Sequence, residues 1–262
     1  MKALCRILVF SFALALPFSS HAQQMQGAPD MRGESEQLFA LANQARAQAG
    51  VGRLEWDPAL AAAALYHCRR MALEGPISHR YGGEPDLAER ASQSGARFGL
   101  IEENVAVGPS AEGIHEEWMN SPGHRANLLS PEVDRVGIAV IASRGVLYAV
   151  ADYSHAVDAL SAAQIEARVA GLIRPSGVNI LANPGLARAA CVTDSGMPRA
   201  SAGPQPRFIM RWQAADLSSL PQALVDRLSS GKYTQASVGS CPAQSDQGQG
   251  AFAAYRVAVL LY

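Results

Sequence analysis

Charge imbalance is what this chain has least of. Its 262 residues carry 22 Lys and Arg against 23 Asp and Glu, a formal net charge of -1. That balance gives no long-range pull toward nucleic acid or an anionic membrane surface. Beyond the first two dozen residues no stretch is apolar enough for a membrane helix. Histidine is missing after His155, and Glu166 is the one glutamate of the second half. Histidine-based metal or acid–base chemistry is therefore confined to the first half, unless the two halves share a site. The chain also lacks a Gly-x-Ser-x-Gly elbow and a phosphate-binding glycine loop. Ser121, Ser130 and Ser154 have no spacing that marks a nucleophile.

Cysteine is scarce too, at four. Cys5 falls inside a leader. Lys2 and Arg6 make a basic start, Ile7 to Leu16 an apolar run too short to span a bilayer, and Ser20-His21-Ala22 a small-x-small cleavage site. Cleavage after Ala22 is expected, leaving an exported protein, periplasmic or extracellular, with no transmembrane segment. Export permits disulfides. Cys191 and Cys241 share the C-terminal half and are expected to pair. Cys68 is then left over, a free thiol on an apolar helix face.

Residues 23–33 are polar, with Gly27 and Pro29, and read as a flexible lead-in. Residues 34–49 carry Leu38, Leu41, Ala42, Ala45 and Ala49 at helical spacing, and Gly50 ends the helix. Asp57-Pro58 caps and opens a second helix to about Leu73, with Ala61, Ala64, Leu65, Cys68, Met71 and Ala72 as its buried stripe. His67 falls beside that stripe, structural or exposed. A short helix spans about 85–94, an extended segment 100–107, and helices 110–120 and 121–129. Ser121-Pro122 reads as cap and first turn of the last of these. Two strands, 135–142 and 146–153, form a hairpin through Ser143-Arg144-Gly145. Helices mixed with antiparallel strands make this an α/β (α+β) layered arrangement.

The second half runs to a similar plan. Ser161 with Gln164 is a capping box. A helix from Asn183-Pro184 to Cys191, a strand 208–214, a helix 221–228 and strands 232–240 and 251–262 follow. The capped Pro-x-Leu-Ala of Pro58 to Ala61 recurs at Pro184 to Ala187. Two descriptions of residues 157–262 stand: a smaller α/β domain of its own, or a degenerate repeat of the first half. Loops 193–206 and 244–250, rich in small polar residues and glycine, read as mobile.

Four blocks in order carry a resemblance. They are Ile77-Ser78-His79, Glu102-Glu103-Asn104-Val105-Ala106, Trp118-Met119-Asn120-Ser121-Pro122-Gly123-His124, and the strand Arg135 to Val140. With them the chain resembles the CAP superfamily (cysteine-rich secretory proteins, antigen 5 and pathogenesis-related 1 proteins) in its bacterial SCP-like extracellular form. The resemblance covers residues 34–156 and implies the family's α-β-α sandwich with an antiparallel sheet. It also implies a cleft built from two histidines and two glutamates. His79 matches the first histidine, Glu103 the first glutamate and His124 the second histidine. Ser121 stands where the second glutamate belongs, and Glu102 replaces the glycine before Glu103. Asn43 and Arg46 match the family's Asn-x-x-Arg on the first helix. Arg46 alone reads equally as part of a solvated face. Arg125 and Asn127 are expected to hold the junction between helix and strand rather than to touch a ligand.

Two imidazoles, His79 and His124, with a carboxylate suit Zn2+. The same trio equally forms a hydrogen-bonded cluster that fixes loops without metal. Three functions follow from the resemblance. The first is a binding or interaction module for a small molecule, lipid, glycan or protein surface. The second is a metal-dependent hydrolase of the same cleft with Glu103 as general base. The third is a structural envelope protein.

Overall fold

The computed structural model describes residues 32–243 and 252–262. The leader with its cleavage site and Cys5, the lead-in up to residue 31 and the loop 244–250 lie outside the described residues. Elements run in the order α1 (Arg32–Gln48), β1 (Glu55–Trp56), α2 (Pro58–Glu74), α3 (Leu87–Gln93), β2 (Phe98–Gly108), α4 (Ala111–Asn120), α5 (Pro122–Leu128), β3 (Arg135–Ser143) and β4 (Val146–Ala156). Then come α6 (Ala162–Ile173), β5 (Asn179–Ile180), α7 (Gly185–Val192), β6 (Phe208–Ala214), α8 (Gln222–Ser229), β7 (Gln235–Cys241) and β8 (Tyr255–Leu261). The first helix starts at Arg32, two residues before the expected start, so residues 32 and 33 belong to it rather than to the lead-in.

Local chemistry sets the helix starts. Asp57 Oδ1 accepts from the backbone N–H groups of Ala59 and Leu60 at 2.7 and 3.1 Å, with Pro58 at the first helical position. Asp86 and Glu89 form a reciprocal capping box on α3, and Ser161 and Gln164 another on α6. Ser121 occupies the cap position of α5, but its side chain makes no capping bond. The β3–β4 turn is two residues long. Arg144 and Gly145 both take positive φ, 52° and 80°, the backbone that matches the twist of a hairpin.

The first sheet has the order β1-β3-β4-β2, with β1 parallel to β3 and the other pairs antiparallel. Side chains alternate across it. Val136, Ile138, Ala149, Ala151 and Tyr153 meet Leu38 and Ala42 of α1, Ile114 and Trp118 of α4 and Leu128 of α5. Val105, Ala139, Tyr148 and Val150 meet Ala64, Cys68 and Met71 of α2 on the opposite face. This is the expected three-layer α-β-α sandwich. Buried Arg46 pins its end: Nε and both terminal nitrogens donate to the carbonyls of Gly52, Leu128, Ser130 and Val133 at 2.6–3.1 Å. The solvated-face reading of Arg46 is therefore wrong, since the side chain is spent on four backbone acceptors. Asn43 exchanges two hydrogen bonds with the backbone of Leu54.

The second sheet has the order β5-β7-β8-β6, with the same senses. Ile165, Val169 and Ile173 of α6 and Leu224 and Leu228 of α8 pack on one face, against Val238, Val257 and Val259. Ala187 and Ala190 of α7 pack on the other, against Leu260 and Tyr262. Cys191 and Cys241 are bonded, with Cα atoms 5.8 Å apart, and tie α7 to β7. Cys68 is free and buried, its thiol donating to the Tyr148 carbonyl at 3.1 Å. Among the described residues no helix is long and apolar enough to cross a membrane.

Candidate functional site

β2 is an edge strand, and the candidate site is built on it. Alternation sends Glu103 toward the α2–α3 side of the sheet and Asn104 toward α5. Each neighbour is then held by a different element.

The loop after α2 brings in His79. Buried His67 anchors this loop: its Nδ1 pairs with Glu84 Oε1 and its Nε2 with the Ser78 carbonyl, both at 2.8 Å. Glu84 also accepts the Tyr81 N–H at 3.0 Å. His67 is thus structural, and its work is to present the next-but-one turn of chain. His79 Nδ1 meets Glu103 Oε1 at 2.8 Å, while 60% of the His79 side chain stays open to solvent. Buried Arg90 of α3 takes the other Glu103 oxygen and also donates to the His79 carbonyl at 3.4 Å. Glu103 is therefore clamped between a cation inside the protein and an imidazole at its surface. The hydrogen bond to Glu103, more than its bare charge, pushes the His79 pKa up against an opposing effect of burial.

His124 arrives on α5. Asn104 donates to the His124 carbonyl at 2.9 Å, and Asn127 donates to the Glu103 carbonyl at 3.2 Å and to Asn104 Oδ1 at 3.0 Å. These amides lock α5 onto β2, as expected for Asn127. Arg125, expected in the same junction, makes no side-chain bond among the described residues and lies exposed in a groove on another face of α5. Burial, and then the positive charge of His79, push the His124 pKa down. Its Nδ1 is buried and meets no partner. The Ser121 hydroxyl makes no hydrogen bond with His79, Glu103 or His124. It takes no part in the clamp.

Two members of the cluster were not legible in the sequence. Arg90 sits in a short, polar-looking helix. Asp152 is a lone carboxyl in the apolar strand β4, opposite Glu103 in the β2–β4 register and fully buried. The one signal for it was that isolation: an acid at the inward face of a strand needs a reason. No other residue supplies a donor to either Asp152 oxygen. Burial first, and the Glu103 carboxylate second, raise its pKa well above the ordinary Asp range, so a proton on Asp152 can be directed at Glu103.

A stability test follows. A carboxyl whose folded pKa is raised contributes stability below its unfolded pKa, and that contribution is lost as pH rises through the folded value. Asp152→Asn keeps the shape and cannot ionise. At pH 8 it should be more stable than the wild type, because it never bears the cost of keeping a buried carboxyl from ionising. The gap should close toward pH 4. Urea denaturation across that range checks this, and a variant less stable than the wild type at pH 8 would refute the protonated Asp152.

The donor set is short for zinc. Glu103 spends both oxygens on His79 and Arg90. Two imidazoles remain, against the three or four protein ligands of zinc sites. Among the described residues no three His, Cys, Asp or Glu side chains gather in a way that could hold a metal ion. Neither Cys68 nor Ser121 is an activated nucleophile: burial pushes the Cys68 thiol up to about 12, and the Ser121 hydroxyl has no base on it among the described residues.

Residues 39–153 match the family model CAP, described as the cysteine-rich secretory protein family. The uncharacterized membrane protein YlbC of Bacillus subtilis (strain 168) is 33% identical over 112 residues, covering 40% of this chain and 31% of that protein. The uncharacterized protein YkwD of the same organism is 27% identical over 115 residues, covering 42% of this chain and 44% of that protein. The chain thus spans less than half the length of these curated relatives. Among solved structures, an extracellular protein containing a SCP domain from Bacillus anthracis str. Ames aligns with a TM-score of 0.44 and 27% identity. The alignment covers 47% of this chain and 40% of that one.

Proposed function

Residues 39–153 constitute a CAP-family domain, and from that premise we propose that this is an exported binding module. Its His79–His124 cleft takes a hydroxyl- or oxyanion-bearing small ligand, such as the polar end of a lipid or a glycan. Export is supported by the basic-then-apolar leader pattern and by the Cys191–Cys241 disulfide.

The observation that carries the binding reading is the Arg90–Glu103–His79 chain. It spends the carboxylate on orienting an imidazole rather than leaving it free as a base. It also biases the two histidines apart. His79, pushed up, holds its second proton to higher pH and, with Nδ1 on Glu103, keeps Nε2–H to donate; His124, pushed down, favours the neutral ring. A donor beside an acceptor matches a hydroxyl, and a charged donor matches a phosphate or carboxylate. His79 keeps its charge below its raised pKa, so affinity for an anionic group should persist above pH ~6.5. It should fall as pH climbs through the raised value.

The test has two parts. Proton NMR titration should find His79 titrating above, and His124 below, the ordinary histidine value, with Glu103→Gln bringing His79 back down. Mass spectrometry of the exported protein should find a small molecule that copurifies with the wild type and is depleted in His79→Ala/His124→Ala. Equal recovery from both proteins would overturn the reading. The hydrolase and zinc alternatives have their own signature, a calorimetric zinc titration that His124→Ala weakens sharply together with a turnover that it abolishes.

A further inference from the structure

The outer face of α2 carries apolar side chains where a helix facing water ordinarily carries charge. Ala62, Tyr66, Arg69 and Leu73 recur there at helical spacing, opposite the buried stripe of Ala64, Cys68 and Met71. Leu73 is 74% exposed, Tyr66 47%, and Ile77, just past the helix end, 48%. Single apolar residues on a surface need no explanation, but three on one helix face and the turn that follows it do. Their backbone is not frayed. Arg144, at the tip of the β3–β4 hairpin, donates to the Leu73 carbonyl at 3.1 Å. The Tyr81 hydroxyl donates to the Pro76 carbonyl, and His67 holds the Ser78 carbonyl. The apolar side chains are thus held out in water by a pinned chain, and a surface ordered in advance loses little entropy on contact.

Charge around this patch runs against the rest of its domain. Residues 34–156 contain ten Arg, no Lys and sixteen Asp and Glu. Beside Leu73 and Ile77 the balance is reversed. Glu74 is cancelled by Arg70, 2.9 Å away and one turn back on the same helix. Glu84, the next acid along the chain, is buried on His67. Arg69 and Arg144 are exposed and meet no carboxylate among the described residues. An apolar surface flanked by two free guanidiniums has its complement in an apolar layer edged with anions.

We propose that this patch docks the protein on an anionic phospholipid surface. Leu73 and Ile77 enter the boundary between headgroups and acyl chains, and the Tyr66 ring lies at headgroup level with its hydroxyl toward water. Arg69 and Arg144 pair with lipid phosphates, which a guanidinium meets with two parallel N–H donors. The net charge of -1 supplies no long-range field that gathers the protein there. The contact therefore depends on apolar insertion and on the two arginines at close range. Ile77 lies two residues before His79, so the docked chain presents the histidine cleft to the lipid headgroups. That orientation rests on the lipid form of the reading given above for the cleft; the docking itself does not need the cleft to be filled.

Cosedimentation of the exported chain with vesicles tests this. Binding to mixed phosphatidylcholine–phosphatidylglycerol vesicles is expected, weaker on phosphatidylcholine alone and weakened by salt. Leu73→Ser/Ile77→Ser should bind the mixed vesicles at least about tenfold more weakly. Its urea midpoint should match the wild type, because both side chains already stand in water. Leu73→Ser alone, at the more exposed of the two positions, should show part of the loss. Arg69→Gln/Arg144→Gln should bind both vesicle types alike. His79→Ala/His124→Ala should bind vesicles as the wild type does, whatever becomes of the small molecule in the cleft, so the two readings fail in different variants. Three results overturn the proposal: no sedimentation with mixed vesicles, undiminished binding by Leu73→Ser/Ile77→Ser, or binding lost only with the two histidines.

Discussion

Arg46→Ala should destabilise the protein by about 3 kcal/mol or more, since unsatisfied buried carbonyls cost roughly 1–3 kcal/mol each. The substitution strips donors from four carbonyls at once, those of Gly52, Leu128, Ser130 and Val133. Each buried acceptor left without a partner costs free energy that water cannot return. Arg46→Lys should recover only part of the loss. A lysine ammonium is a single point and cannot span four acceptors as the planar guanidinium fork does. Urea denaturation at pH 7 measures both, and a loss under about 1 kcal/mol for the alanine variant would contradict the role given to Arg46. Function should follow structure. Arg46 holds residues 128–133, the stretch that leaves α5, so its loss should also displace His124 and change that ring's NMR shift.

What the sequence made legible, and what it hid, divides along chain distance. Asp57-Pro58 and the Ser161–Gln164 box were readable because a cap acts over three or four residues. The hairpin turn was readable because Arg144-Gly145 closes on itself. The pairing of Cys191 with Cys241 followed from there being two cysteines in one half. The site was legible only through the resemblance: three matched residues named the place, and nothing local showed how they are held. Arg90 and Asp152 meet Glu103 from 13 and 49 positions away in the chain. Their partnership depends on the packing of α3 and on the β2–β4 register, neither of which leaves a trace in any short window. Arg46 was hidden for the same reason. It lies next to Ala45 at the rim of the apolar stripe, where period alone assigns it to solvent, and only the return of residues 128–133 buries it. Arg125 misled in the opposite direction, because a basic residue one turn from a junction has no local mark that tells an anchor from a free charge.

Gly137→Ala should be at least as damaging, about 3 kcal/mol or more, beyond the usual cost of overpacking because the obstacle is main chain. A Cβ at Gly137 would sit 2.0 Å from the Ala61 nitrogen and 2.2 Å from the Leu60 carbonyl carbon, so the first turn of α2 must move off β3. That helix carries His67, and through it the loop of His79, so the variant should also lose the raised pKa of His79. The second half makes a parallel prediction. A Cβ at Gly239 would lie 2.2 Å from the Arg188 nitrogen and 2.3 Å from the Ala187 carbonyl carbon, the same conflict between β7 and α7. The two halves share a strand order and the same strand senses. β1 meets β3 at Glu55–Arg135, and β5 meets β7 at Asn179–Gln235. In that frame Gly239 matches Ala139 rather than Gly137, two residues along the strand. A shift of two keeps the side chain on the same face, so the close approach of helix to sheet survives while residue-by-residue likeness does not. The two glycines sit against separate core clusters, that of Leu60 and that of Ala187, so the losses from Gly137→Ala and Gly239→Ala should add to within about 0.5 kcal/mol in the double variant. Only Gly137→Ala should disturb His79. A Gly239→Ala protein as stable as the wild type would break the parallel, leaving the second half with the same strand order and a different way of seating its helix.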